Sequence, residues 1–240
     1  MKISILSIFP EMFEGFINTS IIKKAILKDL VEVEVVDFRP YTLDKHNRVD
    51  DSPYGGGAGL VLLYEPVIRA LNEIKTDNSY IIMMTPAAPV YNQKKAWSLT
   101  EKEHLIIICG HYEDYDERIL THVDEVISIG DYILTGGELG AMIVSDSVIR
   151  LLPEVLNEES ILEESFENGL LEYPQYTKPQ EVDGLRVPDV LLSGHHENIR
   201  KYRHEQSLLK TQTHRPDLLE SYDLTERDTV FLDVANKSQK

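Results

Sequence analysis

Three short stretches hold the residue types from which a small-molecule site can be built. Asp50 to Leu60 reads DDSPYGGGAGL, with four glycines in the five positions that start at Gly55. Glycine runs let backbone amides approach a ligand closely or adopt positive φ. The stretch has neither the GKS or GKT ending of a phosphate loop nor GxGxxG spacing, so a surface loop and a ligand loop both remain open. Gly110 to Arg118 reads GHYEDYDER and directly follows the apolar run LIIIC. Its acids Glu113, Asp114, Asp116 and Glu117 suit the first turn of a helix, where the dipole favours negative charge. They also lie where ligands bind in an open α/β sheet, beyond a strand end. Ser128 to Gly140 reads SIGDYILTGGELG; glycines around Tyr-Ile-Leu suit the flat face of an adenine better than a phosphate, with aliphatics against the ring and backbone groups on its edge.

Two further features carry charge. Asp146 and Arg150 stand four apart, which predicts an intrahelical ion pair; beside a glycine-rich pocket the planar guanidinium could also orient an anionic or carbonyl-bearing substrate. Glu158 to Gly169 reads EESILEESFENG, five carboxylates with no sustained helical or strand period. No HExxH, Cys/His metal cluster or GxSxG occurs, so zinc and serine hydrolases have no support. Cys109 is the single cysteine and its flanks predict a buried strand position.

Positioning such loops requires a sheet. KISILSIF, VEVEVV, SYIIMM, HLIIIC and EVISI read as strands, alternating with helices that open at Ser20, at Glu65-Pro66 and at Asn92. That alternation predicts an α/β sheet covered on both faces. An apolar helix, AMIVSDSVIRLL, follows the third stretch and stops at Pro153. After the acidic stretch, LLEYPQYTKPQEVDGLRVPDVLLSGHH reads as too irregular for a sheet, followed by helices that include ones beginning at Arg215-Pro216-Asp217 and at Thr225. The expected organisation is a domain over 1–156, a flexible acidic linker over 157–168 and a small, mostly helical domain over 169–240.

The net charge of −17 argues against a polyanionic partner at face value. Its distribution softens that: 14 Lys and Arg face 29 Asp and Glu up to Leu170, whereas 10 face 12 beyond it. His195 to Arg215, with Arg200, Lys201, Arg203, Lys210 and Arg215, is the one locally basic stretch, read either as a solvated helix face or as a track for an RNA backbone. No apolar run approaches the roughly 20 residues of a membrane span, and the N-terminus lacks a signal-peptide cleavage pattern. A cytoplasmic chain with no membrane association is expected.

In order, DDSPYGGGAGL, CGHYEDYDER, SIGDYILTGGE, YPQYTKP, VPDVLLSGHH and HRPDLL resemble the bacterial tRNA (guanine-N1)-methyltransferase family, from SIFPEMF near the N-terminus to about Leu224. The resemblance implies a SPOUT-type α/β methyltransferase domain with a deep trefoil knot, and a helical C-terminal domain that grips tRNA. It implies an obligate homodimer with the active site shared between protomers, S-adenosylmethionine as cofactor, magnesium dependence, and methylation of the guanine immediately 3′ of the anticodon, position 37. Carried over by position, Pro86, Gly110, Glu113, Ile129, Gly130, Asp131, Tyr132, Ile133, Leu134, Gly136 and Gly137 hold the cofactor. Asp50, Tyr54, Gly55, Gly56, Ser193 and Arg203 face the tRNA, Arg150 matches the catalytic arginine, and Glu164 stands where the family has its general base, an aspartate before Ser-Phe. No firm metal ligand is implied; Glu113 and Glu164 are the positions near which magnesium would sit.

The sequence departs from the family pattern at several of these places. Glu164 is one methylene longer than aspartate but keeps its charge and basicity. His111 replaces an arginine, Asp114 a glycine and Ala87-Ala88 a Gln-Gly pair near the cofactor; Lys178, Tyr202 and His214 replace arginine, tryptophan and arginine on the RNA side. These changes predict weaker, more salt-sensitive tRNA binding. Two other readings remain: an RNA-binding module that keeps the fold and has lost catalysis, and a magnesium-dependent phosphohydrolase built on the acids of HYEDYDER and GDY.

Overall fold

The computed structural model of the chain describes residues 1–238, and the chain divides into two compact units, Met1–Asn157 and Glu158–Lys240. The last two positions of the expected helical domain lie outside the described residues. Among those described, no helix is long and apolar enough to cross a membrane.

The first unit contains β1 (Lys2–Ser7), α1 (Glu14–Ile17), α2 (Ser20–Leu27), β2 (Glu32–Asp37), β3 (Asp50–Asp51), β4 (Val61–Leu62), α3 (Tyr64–Ile74) and β5 (Ser79–Met84). It continues through α4 (Gln93–Thr100), β6 (His104–Cys109), β7 (Asp114–Tyr115), β8 (Glu125–Ile127) and α5 (Glu138–Ile149). Five strands form a parallel sheet in the order β2-β1-β6-β5-β8. Each of the five predicted strands is present. A two-sided sheet needs apolar residues at every position of its central strands, and the six residues of β6 are all buried. Alternate side chains serve opposite faces. Ile3, Ile5, Leu105, Ile107 and Ile82 pack with α2, α4 and α5 on one side, while Leu6, Ile106, Ile108 and Met83 pack with α3 on the other.

Helix starts follow the predicted chemistry in part. Asn92 caps α4, its side chain accepting from the Lys95 amide at 3.0 Å. Ser20 is not a cap: it is the first helical residue with φ 52°, behind Thr19, whose hydroxyl bonds back to the Gly15 carbonyl instead. The acids of GHYEDYDER do not open a helix directly. Asp114–Tyr115 pairs in parallel with β4, and only then does Asp116 cap a 3-10 segment, Glu117–His122, by accepting from the Arg118 amide. The ladder to β4 claims the backbone that a helical first turn would need.

The second unit contains α6 (Glu158–Leu162), β9 (Glu181–Val182), β10 (Leu185–Arg186), α7 (Asp189–Leu192), α8 (His196–His214), α9 (Pro216–Glu220) and α10 (Glu226–Ser238). Leu170, Leu208 and Leu232 form its small core, joined by Leu219, Tyr222 and Phe231. Thr225 and Asp228 cap α10 reciprocally: the carboxylate accepts from the Thr225 amide at 3.0 Å and its own amide donates to the Thr225 hydroxyl at 3.2 Å. Two expectations are corrected here. The acidic stretch contains a helical turn, α6, with Ile161 buried. The proline-rich segment contains a two-stranded hairpin, β9 against β10, turned by Asp183 and Gly184 at φ 51° and 79°. Asp-Gly is the residue pair a type I′ turn requires.

Candidate active site

The loops that leave the C-terminal ends of β5, β6 and β8 are tied to one another. The Gly137 amide donates to the Gly110 carbonyl at 2.8 Å, Tyr91 donates to the Ser128 carbonyl at 2.7 Å, and His111 bridges Gly136. The glycine-rich stretch joins them through the Glu113 amide, which donates to Leu60 at 3.1 Å. The three stretches singled out in the sequence therefore meet at one sheet edge.

Between the loops that follow β5, β6 and β8 lies a cavity of about 150 Å³. Pro86, Gly110, Glu113, Ile129, Gly130, Tyr132, Ile133, Leu134, Gly136 and Gly137 line it. Asp131 is exposed and does not. Met84, Thr85, His111, Tyr112, Asp114, Tyr115, Ile127, Ser128, Thr135 and Gly140 also line it without having been assigned from the sequence. The signal for them was their position at the ends of β5, β6 and β8 or inside the same loops. A nucleoside-bearing ligand of drug size needs roughly 300–1,000 Å³. The cavity is smaller than that range, and Tyr132, Ile133 and Leu134 on its open side are exposed.

Glycine is dictated at the floor. A Cβ on Gly137 would lie 2.8 Å from the Cys109 Cα and 2.9 Å from the Gly110 amide nitrogen, both backbone. Gly59, at φ +80°, lies against Glu113, whose Cγ would be 2.1 Å from an added Cβ. Gly55 and Gly56, at φ 86° and 78°, have open space around them, so their conformation alone requires glycine. Neither they nor the fully exposed Tyr54 line the cavity.

The walls carry acid. Glu113 and Asp114 face the cavity. Behind it Glu138, only 2% exposed, accepts the Ser7 hydroxyl at 2.8 Å and lies 3.8 Å from His111 Nδ1, a buried nitrogen with no hydrogen bond. The His111 ring is edge-on to Phe9 at 4.9 Å and to Tyr112 at 5.2 Å. Burial, together with the Asp50 carboxylate that accepts its hydroxyl, pushes the Tyr112 phenol up. Asp50 is thus one residue removed from the cavity wall. Burial pushes Cys109 well above the ordinary thiol range, with Glu138 adding to it, so the thiol is an inert core group as its flanks predicted. Arg150 ends α5, its amide donating to the Asp146 carbonyl at 3.0 Å. Among the described residues, no three His, Cys, Asp or Glu side chains converge to hold a metal.

The remaining predicted residues belong to the second unit. Glu164 follows α6, its amide donating to the Ile161 carbonyl at 3.1 Å. Ser193 ends α7, its hydroxyl donating to the Val190 carbonyl at 2.7 Å. Arg203 lies on α8 and lines a broad groove with Tyr173, Tyr176, Lys178 and Ile199. Aromatic rings beside cations are the surface that single-stranded RNA uses.

A parallel sheet with a glycine-walled, acid-rimmed pocket at its C-terminal edge defines an α/β protein with its pocket where open sheets of this class bind their ligands. The sequence pattern of the family described as tRNA (Guanine-1)-methyltransferase TrmD matches residues 1–221. A tRNA (guanine-N(1)-)-methyltransferase of Staphylococcus haemolyticus (strain JCSC1435) is 52% identical, over 100% of this chain and 99% of that one. Another of Malacoplasma penetrans (strain HF-2) is 54% identical over 92% and 98%, and one of Bacillus cereus (strain AH820) 52% over 97% and 98%. The chain belongs to the tRNA (guanine-1)-methyltransferase family, which carries the SPOUT α/β fold.

Proposed function

We propose that the chain transfers a methyl group from S-adenosylmethionine to N1 of the guanine at position 37 of tRNA, immediately 3′ of the anticodon. The observation that carries this reading is the convergence of the three loops on one pocket, in a chain of this family. The pocket suits the cofactor: aliphatic Ile129, Ile133 and Leu134 offer flat walls, Gly137 lets the loops at the floor touch through backbone, and Glu113 and Asp114 favour a cationic ligand. Bound there, the cofactor supplies an electrophilic sulfonium methyl.

The chain's own residues then have two tasks. Guanine N1 carries a proton at neutral pH and has no free lone pair, so a carboxylate must remove the proton as the new bond forms; we assign this to Glu164. Negative charge moves onto guanine O6 as N1 is deprotonated, and Arg150 stabilises it through its planar donor fork. Asp50, held against Tyr112, and the turn at Tyr54, Gly55 and Gly56 are assigned to the target base; Ser193 and Arg203 are assigned to the RNA. The described carboxylates form no protein-only metal site near Glu113 or Glu164, and no step is assigned to magnesium.

The trefoil knot belongs to this reading. It is supported by the insertion of β6 between β1 and β5 and by the ties between Ser128–Gly137 and the two neighbouring loops. Homodimerisation is supported by an apolar stripe on α5, where Leu139 is 47% and Ile143 46% exposed. Single-turnover assay with unmodified tRNA transcript tests the reaction. Methyl incorporation at guanine 37, abolished when that base is adenine, is expected; no incorporation at saturating cofactor and magnesium would leave only an RNA-binding module.

A further inference from the structure

Within the second unit, the acidic stretch closes on the cation assigned to RNA. The Tyr173 hydroxyl donates to Glu163 Oε2. Arg203 Nη1 stands 3.5 Å from that same oxygen, and the guanidinium lies 4.5 Å over the Tyr173 ring. Burial and the bond to Glu163 push the Tyr173 phenol up to about 12, so it remains a donor through the neutral range. Arg203 Nε is buried and makes no hydrogen bond. A guanidinium paired optimally with a carboxylate or phosphate uses two parallel N–H groups. Glu163 meets the guanidinium through Nη1, and Nε is left without an acceptor.

The pair is also half open to solvent, with Arg203 37% and Glu163 58% exposed. Exposed ion pairs are worth little and are readily exchanged, whereas an RNA phosphate brings counterion release that a carboxylate of the same chain cannot. Arg200 and His204 line a cavity of about 180 Å³ beside the pair together with Glu163, Glu164 and Glu172, so an incoming anion meets a second cation there once the Glu163 carboxylate is displaced.

We propose that Arg203, Tyr173 and Arg200 form a subsite for an RNA backbone phosphate, which Glu163 closes in the RNA-free chain as an internal competitor. The proposal rests on the tRNA reading given above. It gives the acidic stretch a task distinct from proton removal.

The test measures affinity of the full chain for an unmodified tRNA transcript at fixed salt, with methyl transfer assayed on the same samples. Glu163→Gln removes the competing charge and is expected to bind two- to fivefold more tightly, the range an exposed ion pair supports. Glu220→Gln removes an equal charge from an exposed position and is expected to stay within 1.5-fold of the parent, about the scatter of an electrostatically neutral change. In an Arg203→Gln background, Glu163→Gln is expected to add nothing. Equal gains from Glu163→Gln and Glu220→Gln, or no gain from the former, would overturn the closure. If the parent transfers methyl and the gain is absent, the closure falls and the reaction stands. If methyl transfer is absent and the gain is present, the reaction falls and the closure stands. If no variant binds RNA, both fall.

Discussion

Gly137 shows how narrowly single residues are constrained. Its missing Cβ lets two strand-end loops touch through backbone atoms, at 2.8 and 2.9 Å from where that carbon would be. Backbone cannot turn aside as a long side chain can, so Gly137→Ala is expected to open the pocket and weaken cofactor binding by more than tenfold, while the unit stays folded. Calorimetric titration with S-adenosylmethionine alongside circular dichroism checks this; unchanged affinity would show that the pocket lies elsewhere. Glycine and strand-end chemistry made most of the pocket legible from sequence, because both follow from backbone geometry. Tyr115 lies inside one of the stretches singled out, but its place on the wall depends on the register of β7 against β4, which joins residues more than 50 positions apart and leaves no local trace in the sequence.

The central strands carry a second, hidden requirement at the end opposite the pocket. His104, 5% exposed, accepts or donates at both ring nitrogens: Nε2 lies 2.8 Å from the Ser4 hydroxyl and Nδ1 2.8 Å from the Ser79 hydroxyl. Ser4 gives its own proton to Glu34, so Nε2 is the donor toward Ser4. Burial, reinforced by Lys2 and opposed by Glu34 and Glu32, holds the His104 pKa below its ordinary 6.5. The unfolded chain then binds more protons than the folded one just below pH 6.5, so stability rises with pH in that window and falls as pH drops through it toward the folded value. The urea midpoint of the parent is expected to fall between pH 7 and pH 5.5, and that step is expected to be smaller in His104→Gln; identical steps would contradict it. The strands and α3, α4 and α5 were legible because apolar runs and periodicity encode burial locally. The β9-β10 hairpin was also encoded, in Asp183-Gly184, but the prolines around it masked the turn. Placing α6 in the acidic stretch depended on one apolar residue, Ile161, which no periodicity reveals.

Taken whole, the chain is strongly acidic and is assigned a polyanionic partner, so RNA affinity must come from a few placed cations. Binding is expected to weaken steeply with salt, and Arg203→Gln to reduce the magnitude of the log–log slope by about 0.7, the share of one phosphate contact on a single strand; an affinity independent of salt would contradict this. The stripe of Leu139 and Ile143 is expected to bury itself between two copies, so Ile143→Asp should sediment as a monomer and lose methyl transfer, where a parent monomer would remove the shared site. The central claim, proton removal by Glu164 from guanine N1, is tested most directly by mass spectrometric mapping of tRNA after single turnover with the parent, Glu164→Asp and Glu164→Gln. Methyl on N1 of guanine 37 is expected with the parent and with Glu164→Asp at comparable rates, and a loss of about 100-fold or more is expected with Glu164→Gln. Equal rates for all three, or methyl at another position, would contradict it.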